Sequence, residues 1–487
     1  MARLRHAGAI GTSVARGAAI CGVSLLCVIA YAAGSLRRLA IRDPTARADH
    51  RAHQRGVLFR WCFSRLGATF IKVGQVMSSR ADLLSPQIID ELRELQDHVR
   101  PFSYARVRRI LERELGQPLS SVFISLDRTP LAAGGIAQVH RGLLRTGEEV
   151  AVKVLRPGVR ARVHRDARLM LWLAHLAHLL SPRARAADVI GHARSLISGI
   201  IVQTDLAREA DNLERFAGDF ATTPGLAFPH VIRRFSRPSV LTMSLVRGVH
   251  LERVPREHVE QVTRTLRDTF FAMCFEHGLV HADLHPGNIL VGPDGTVFIL
   301  DVGLVKYLDA AAIDRLVELS RALVLGTPRE LVAHLRDHHP HGPTTDWDAL
   351  AADAESLIAR LRRTQIAELE VAQVVSDLFS LARKHGIHPL PELSLVLLGM
   401  VTIEGIAKRL DPSANTFAEI ARYLAPRIAH TRLARGSREW PEPPLGVRTE
   451  CDAPTSAPPS LRTSPSDPHT STGTRDAPAP TMARRSE

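Results

Sequence analysis

Hydrophobic and polar positions divide the chain into segments of different period. From Gly17 to Leu36 no residue is charged (GAAICGVSLLCVIAYAAGSL). About twenty residues of helix span roughly 30 Å, the hydrocarbon thickness of a bilayer. The run therefore predicts a membrane-spanning helix, closed by Arg16 on one side and by Arg37 and Arg38 on the other. A cleaved signal peptide with small residues near Ala33 is the competing reading. Residues 43–115 carry a helical period, with Ser85-Pro86 and Ser103 as helix starts. Over 119–156 the period changes to β-branched runs separated by a Gly pair and a Thr-Gly turn, which predicts strand, loop, strand, turn, strand. The helical pattern resumes near Val163 and runs to about Phe216, with Leu196, Ile197, Ile200 and Ile201 on one face. VLTMSLVRG (240–248) reads as a strand entering a linker. After further helices, a loop-rich block from His277 to Tyr307 holds two short apolar runs, 289–291 and 297–299. The Gly-Pro-Asp-Gly turn at 292–295 joins them. Residues 310–429 are helical again. Past Arg435 the chain is rich in Pro, Ser and Thr and too poor in large apolar residues to bury a core. The segments are thus an anchor (1–42), a helical extension (43–115), an α+β lobe (116–245), a second lobe (246–435) and a disordered tail (436–487).

Composition adds a direction and a compartment. The chain has 487 residues, 45% of them hydrophobic, enough for two lobes with a shared core. Its 63 basic and 50 acidic residues leave a net charge of +13, which suits anionic partners such as headgroups or a nucleotide; an arginine-rich coding bias explains part of the excess. Arginines are denser after the apolar run (Arg37, Arg38, Arg42, Arg47, Arg51, Arg55) than before it (Arg3, Arg5, Arg16), which places the bulk of the chain on the cytoplasmic side. The five cysteines form no C-x-x-C pair, so neither a disulfide framework nor a cysteine zinc site is expected.

Four elements then occur in an order that suits phosphoryl transfer. Ala132-Ala133-Gly134-Gly135 sits between two strands, where small residues let backbone N–H groups approach phosphate. Lys153 follows within Ala151-Val152-Lys153-Val154; an inward-facing strand lysine needs an anion, and Glu209 on the next long helix supplies an orienting carboxylate. In His281-Ala282-Asp283-Leu284-His285-Pro286-Gly287-Asn288, Asp283 and Asn288 are five residues apart, spaced to orient an acceptor hydroxyl and to hold a metal ion. Asp301, within Ile299-Leu300-Asp301-Val302-Gly303, is the main Mg²⁺ candidate. Separately, Lys72 and Gln75 share a helix face in an apolar stretch, so Lys72 should meet a carboxylate or phosphate. Asp337-His338-His339-Pro340-His341 has the residue types of a metal cluster, but His-rich loop tips are mostly solvated and it reads as one.

KVGQ (72–75), AAGGIAQVHRG (132–142), VAVKVLRPGV (150–159), EADNLERF (209–216), HADLHPGNILV (281–291), LDVG (300–303) and IEGIAKRLDPSAN (403–415) together resemble the UbiB/AarF family of atypical kinases, over about 59–410. The resemblance implies an α+β, two-lobed protein-kinase-like fold with the KxGQ helix packed across the active site. It also implies ATP and Mg²⁺ as cofactors, ATPase activity and a role in isoprenoid-quinone biosynthesis at a membrane. The partners it implies are a membrane lipid or quinone precursor and quinone-biosynthesis proteins, with no nucleic acid. In its terms the nucleotide loop comprises Ala132, Ala133, Gly134, Gly135, Ile136, Ala137 and Gln138. Lys72, Gln75, Gln203 and Asp205 are its regulatory set.

The chain departs from the family pattern in four places. Gly134 and Gly135 stand where the alanine-rich loop ends in Ala-Ser, and Gln203-Thr204-Asp205 stands for the Glu-x-Asp motif. Val302 replaces a phenylalanine, and Ser244 a glutamate. These changes suggest a loop free to take positive φ and a Lys72–Gln203 contact without full charge. The other readings are a small-molecule phosphotransferase of the aminoglycoside-kinase type and a nucleotide- and lipid-binding scaffold without phosphotransfer.

Overall fold

Helices occupy the chain ahead of its first strand: α1 (Gly17–Gly34), α2 (Pro44–Leu66), α3 (Ala68–Ser78), α4 (Pro86–Arg93), α5 (Tyr104–Leu115) and the single turn α6 (Leu119–Val122). The structure, a computed structural model, describes residues 17–20, 22–34, 43–78, 84–95, 100–181, 185, 189–324, 326–343, 345–364, 368–412, 414–415, 418–419 and 422–423. The tail expected over 436–487 and Arg37, Arg38 and Arg42 lie outside these residues. Among the described residues one helix, α1, is long and apolar enough to cross a membrane, with a mean hydropathy of 2.0. Ser85 and Ser103 stand at the starts of α4 and α5 as the sequence suggests, but neither hydroxyl makes a capping bond.

The next strands, β1 (Phe123–Leu126), β2 (Ala132–Ala133), β3 (Ala137–Leu144) and β4 (Glu149–Leu155), form an antiparallel sheet with the later β6 (Val240–Ser244), in the order β1-β3-β4-β6, β2 pairing with β3. Strand alternation decides which side chain faces where. Val150, Val152 and Val154 of β4 pack with Val107, Ile110 and Leu111 of α5. Ala151 and Leu155 join the larger core on the other face, and Lys153 lies between them in sequence.

Among the described residues, three helices lie between β4 and β6: α7 (Val159–Leu180), α8 (Val189–Val202) and α9 (Leu206–Asp219). The single helical stretch expected to about Phe216 is thus broken, and Glu209 lies on α9 rather than on the helix that follows β4. The buried positions of α9 are Leu206, Glu209, Ala210, Leu213 and Phe216, one helical stripe on which Glu209 is the single carboxylate. Short strands β5 (Leu226–Ala227) and β7 (Val249–His250), helix α10 (Arg256–Phe275) and strands β8 (Leu279–His281), β9 (Ile289–Val291), β10 (Val297–Ile299) and β11 (Val305–Tyr307) follow. They make a four-stranded sheet, β5-β10-β9-β7, and the pair β11-β8. The β9–β10 turn closes at Gly295 with φ of 81°, as the Gly-Pro-Asp-Gly sequence requires.

The chain ends its described fold in α11 (Ala310–Val324), α12 (Pro328–His338), α13 (Trp347–Arg363), α14 (Val371–Lys384) and α15 (Pro391–Leu410). Glu404 of α15 is buried, and its carboxylate accepts from the first backbone amides of α14, Val371 N and Ala372 N, both at 2.8 Å. A carboxylate at a helix N-terminus satisfies donors that have no partner in the helix and complements its dipole. Glu404→Ala should therefore destabilise the protein by about 2–4 kcal/mol, because two donors lose a charged acceptor in a site closed to water. Denaturant unfolding measures this, and a loss near zero would show that water replaces the carboxylate.

Candidate active site

Two lysines and three carboxylates converge from five parts of the chain. Lys153 Nζ donates to Glu209 Oε1 at 2.6 Å and to Asp301 Oδ2 at 2.7 Å. Asp301 Oδ1 accepts from Gly303 N at 2.8 Å. Lys72 Nζ donates to Asp283 Oδ2 at 2.7 Å. Burial works against every one of these charges, and the partners decide the outcome. Burial alone would lower Lys153, but Asp301 and Glu209 raise it above the ordinary lysine range. Burial would raise Asp301 and Asp283, but Lys153 beside the first and Lys72 beside the second hold both below the usual carboxylate range. Glu209 differs. Its side chain is 3% exposed against 40% for Asp301, so burial, with repulsion from Asp301, pushes its carboxyl up to about 7 despite Lys153.

The loop between β8 and β9 is held by its own groups. Burial lowers the pKa of His281 and so favours its neutral ring. Its Nδ1 accepts from Asp283 N at 3.2 Å, so Nε2 carries the proton and donates to Asp301 O at 2.6 Å. One ring thereby ties the backbones of the two acidic residues together. Asn288 Nδ2 donates to Asp283 O at 3.1 Å, which leaves Oδ1 for another ligand. Asn212 of α9 donates to Val302 O at 2.9 Å and accepts from Tyr307 OH at 3.2 Å. The contact at position 302 is to backbone, so valine there keeps it, while the valine side chain is fully buried. The roles of His281 and Asn212 escaped the sequence reading. The signal was there, as both lie inside the quoted motifs, but nothing local says what they touch.

Helix α3 brings Lys72 in. At Gly74 an added Cβ would stand 2.2 Å from Leu95 Cδ1 and 2.7 Å from a Phe63 ring carbon, so only glycine lets the helix seat this deeply. Lys72 and Gln75 do not share a target: Gln75 Nε2 donates to Leu95 O at 3.2 Å.

Other expectations need correction. Lys72 reaches Asp283 itself, not Gln203 or Asp205. Asp205 caps α9, accepting from Ala207 N at 3.2 Å, and lies 3.6 Å from Arg160, and Gln203 Nε2 is buried without a hydrogen bond. Gly134 and Gly135 are not among the glycines with positive φ. Their loop is a pinned hairpin: Gly134 N donates to Ala137 O at 2.9 Å, Arg156 Nε donates to Gly134 O at 2.7 Å, and Arg156 N donates to Ile136 O at 2.8 Å. Ala132 and Ala133 pair with Val139 and Gln138. The Gln138 side chain turns to the α5 face, where Oε1 accepts from Phe102 N at 3.0 Å and Nε2 lies 2.8 Å from His140 Nε2, so it is not offered to a nucleotide.

Residues 94–335 match the ABC1 atypical kinase-like domain, and 354–415 the UbiB helical domain. Probable protein kinase UbiB of Aeromonas salmonicida is 32% identical over 386 residues, covering 76% of this chain and 70% of the relative. Protein sll0005 of Synechocystis is 29% identical over 399 residues, or 80% of this chain, which spans 57% of that protein's length. The solved complex of Rv3197 with erythromycin from Mycobacterium tuberculosis aligns at 23% identity with a TM-score of 0.49, covering 72% of this chain and 87% of that one. The two family-model matches, with the observed elements, define a protein of the atypical kinase-like class, α+β with a helical C-terminal region. Within that class the chain belongs to the UbiB family.

A carboxyl at about 7 takes up a proton in the folded chain where the unfolded chain has lost it. The stability Glu209 contributes is thus present at low pH and lost as pH rises through about 7. On lowering pH from about 8 to about 6, the melting temperature should rise relative to that of Glu209→Gln. A difference that stays constant over this range would show that Glu209 does not titrate there.

Proposed function

We propose that this chain is a membrane-anchored ATPase and phosphotransferase that binds MgATP. The observation that carries the reading is the convergence of Lys153, Glu209 and Asp301 beside the Lys72–Asp283 pair. The donor set fits a hard cation. Asp301 offers a carboxylate and Asn288 a free amide oxygen, and Mg²⁺ prefers oxygen ligands. When bound, Mg²⁺ would neutralise charge on the transferred phosphoryl group. Lys153, oriented by Glu209, would bind the α/β-phosphates, exchanging its contact with Asp301 for them. The hairpin over Ala132–Ala137 would lie over the phosphates. Asp283 would orient the attacking hydroxyl once Lys72 withdraws from Oδ2.

The placement of α3 favours this reading over an aminoglycoside-kinase type. Lys72 occupies the carboxylate that an open phosphotransferase leaves to its substrate. The acceptor class we propose is an isoprenoid quinone precursor or related membrane lipid. This part rests on family membership and on α1, which would hold the kinase fold at the cytoplasmic face.

Asp301→Asn should abolish Mg²⁺-dependent ATP binding and hydrolysis, because the ion loses its anionic ligand. Tight MgATP binding by that variant in a thermal-shift titration would overturn the assignment. A deletion strain profiled for quinones and their precursors tests the acceptor class; unchanged profiles would reject it. For the anchor, the full chain should fractionate with membranes and a chain starting at Asp43 should be soluble. Recovery of the full chain without detergent would reject the anchor while leaving the nucleotide site standing.

A further inference from the structure

The structure places three donors together far along the chain from the nucleotide site. His334 and His338 are four residues apart on α12 and so share a face. Glu318 of the neighbouring α11 lies opposite. Its Oε2 is 3.6 Å from His338 Nε2 and 3.9 Å from His334 Nδ1, and all three donor atoms lie within 4.8 Å of one another. A tetrahedral ion with bonds of about 2.1 Å sets its ligand atoms roughly 3.4 Å apart, so closure asks for small side-chain rotations. We propose that Glu318, His334 and His338 bind a borderline divalent cation of the zinc type, which cross-links α11 to α12.

The second observation is the state of His334. Its ring is 7% exposed, Nε2 is buried with no hydrogen bond, and Nδ1 is too far from Glu318 to make one. A buried imidazole with an unpaired nitrogen and no partner within hydrogen-bond reach at Glu318 is costly, and an ion bound by the ring offsets part of that cost. An ordinary surface pair of Glu318 with His338 accounts for those two groups but supplies nothing to His334.

The surroundings separate ligands from bystanders. His339 is used structurally, its Nδ1 accepting from Leu390 N at 3.3 Å. Asp337 is engaged by Arg336 at 3.1 Å. Arg315, the nearby cation, lies 3.6 Å from Glu392. His338 is 36% exposed at its side chain, so an ion enters from solvent and keeps water at its open position. Two imidazoles with one carboxylate suit zinc rather than magnesium, which distinguishes this site from the all-oxygen set of Asp301 and Asn288. The sequence reading of 337–341 as a solvated loop tip fails here because the helix runs to His338, and the third ligand is 16 residues upstream of His334.

The test uses the full chain, stripped of metal and kept in excess Mg²⁺ to fill the catalytic site. Zn²⁺ is titrated in competition with a chromophoric chelator. One equivalent should bind, with affinity reduced by about tenfold or more in His338→Ala and in Glu318→Ala. Both altered residues are partly exposed, so folding should survive. Zn²⁺ should also raise the melting temperature of the native chain and not that of His338→Ala. If the native chain binds no Zn²⁺, or the variants bind it as tightly, with the ion then held by cysteines or the catalytic carboxylates, the proposal is overturned.

Discussion

A buried ammonium cannot stay where it is without carboxylates around it, and the site is organised by that demand. Lys153 is fixed on the central strand of a sheet by pairing on both sides, so it does not move to find partners. The partners come to it instead. Glu209 arrives on the buried stripe of α9 and Asp301 on the loop after β10. Removing Lys153 leaves two carboxylates side by side without their cation, which costs far more than either pair contributes net. The packing of α9 against the sheet and the seating of the loop that carries Asp301 therefore depend on one another.

Backbone contacts extend this dependence. His281 bonds the main chain at both Asp283 and Asp301, and Asn212 bonds it at Val302. These contacts read position, not side-chain identity, which is why the departure at 302 leaves the architecture intact. The same logic applies to the hairpin over Gly134 and Gly135, where Arg156 and the end of β4 fix the tip from outside. Loss of side chains at those two positions does not loosen a loop whose main chain is already bonded.

Much of the fold was legible because its signals are local. Period changes marked sheet against helix, the Gly-Pro-Asp-Gly turn marked β9–β10, and the spacing of Asp283, Asn288 and Asp301 placed the first two on one loop and the third just past the strand pair that follows. What failed was long-range or facial. Lys72 and Asp283 are 211 residues apart, and no spacing reports that they meet. Gln138 follows a phosphate-like loop in sequence, yet strand alternation turns its side chain to the α5 face. The break before α9 was missed because apolar helical periods in α8 and α9 run close together, separated by a turn with no glycine or proline. The four departures suggested a weakened Lys72–Gln203 contact, and the structure instead gives Lys72 a full carboxylate.

Gly67 has a consequence of its own. It joins α2 to α3 as a single residue with φ of 88°. Beyond it α2 lies along α1, where Cys27 Sγ donates to Leu58 O at 3.6 Å and the Arg55 guanidinium sits over the Tyr31 ring at 5.5 Å. The apolar helix α1, the long helix α2 and the α3 that carries Lys72 to Asp283 thus follow one another, with a one-residue turn between the last two. An added Cβ at Gly67 would meet nothing within 4 Å, so backbone strain at positive φ is what any other residue there would bring. That strain would fall on the join that aims Lys72 at its carboxylate.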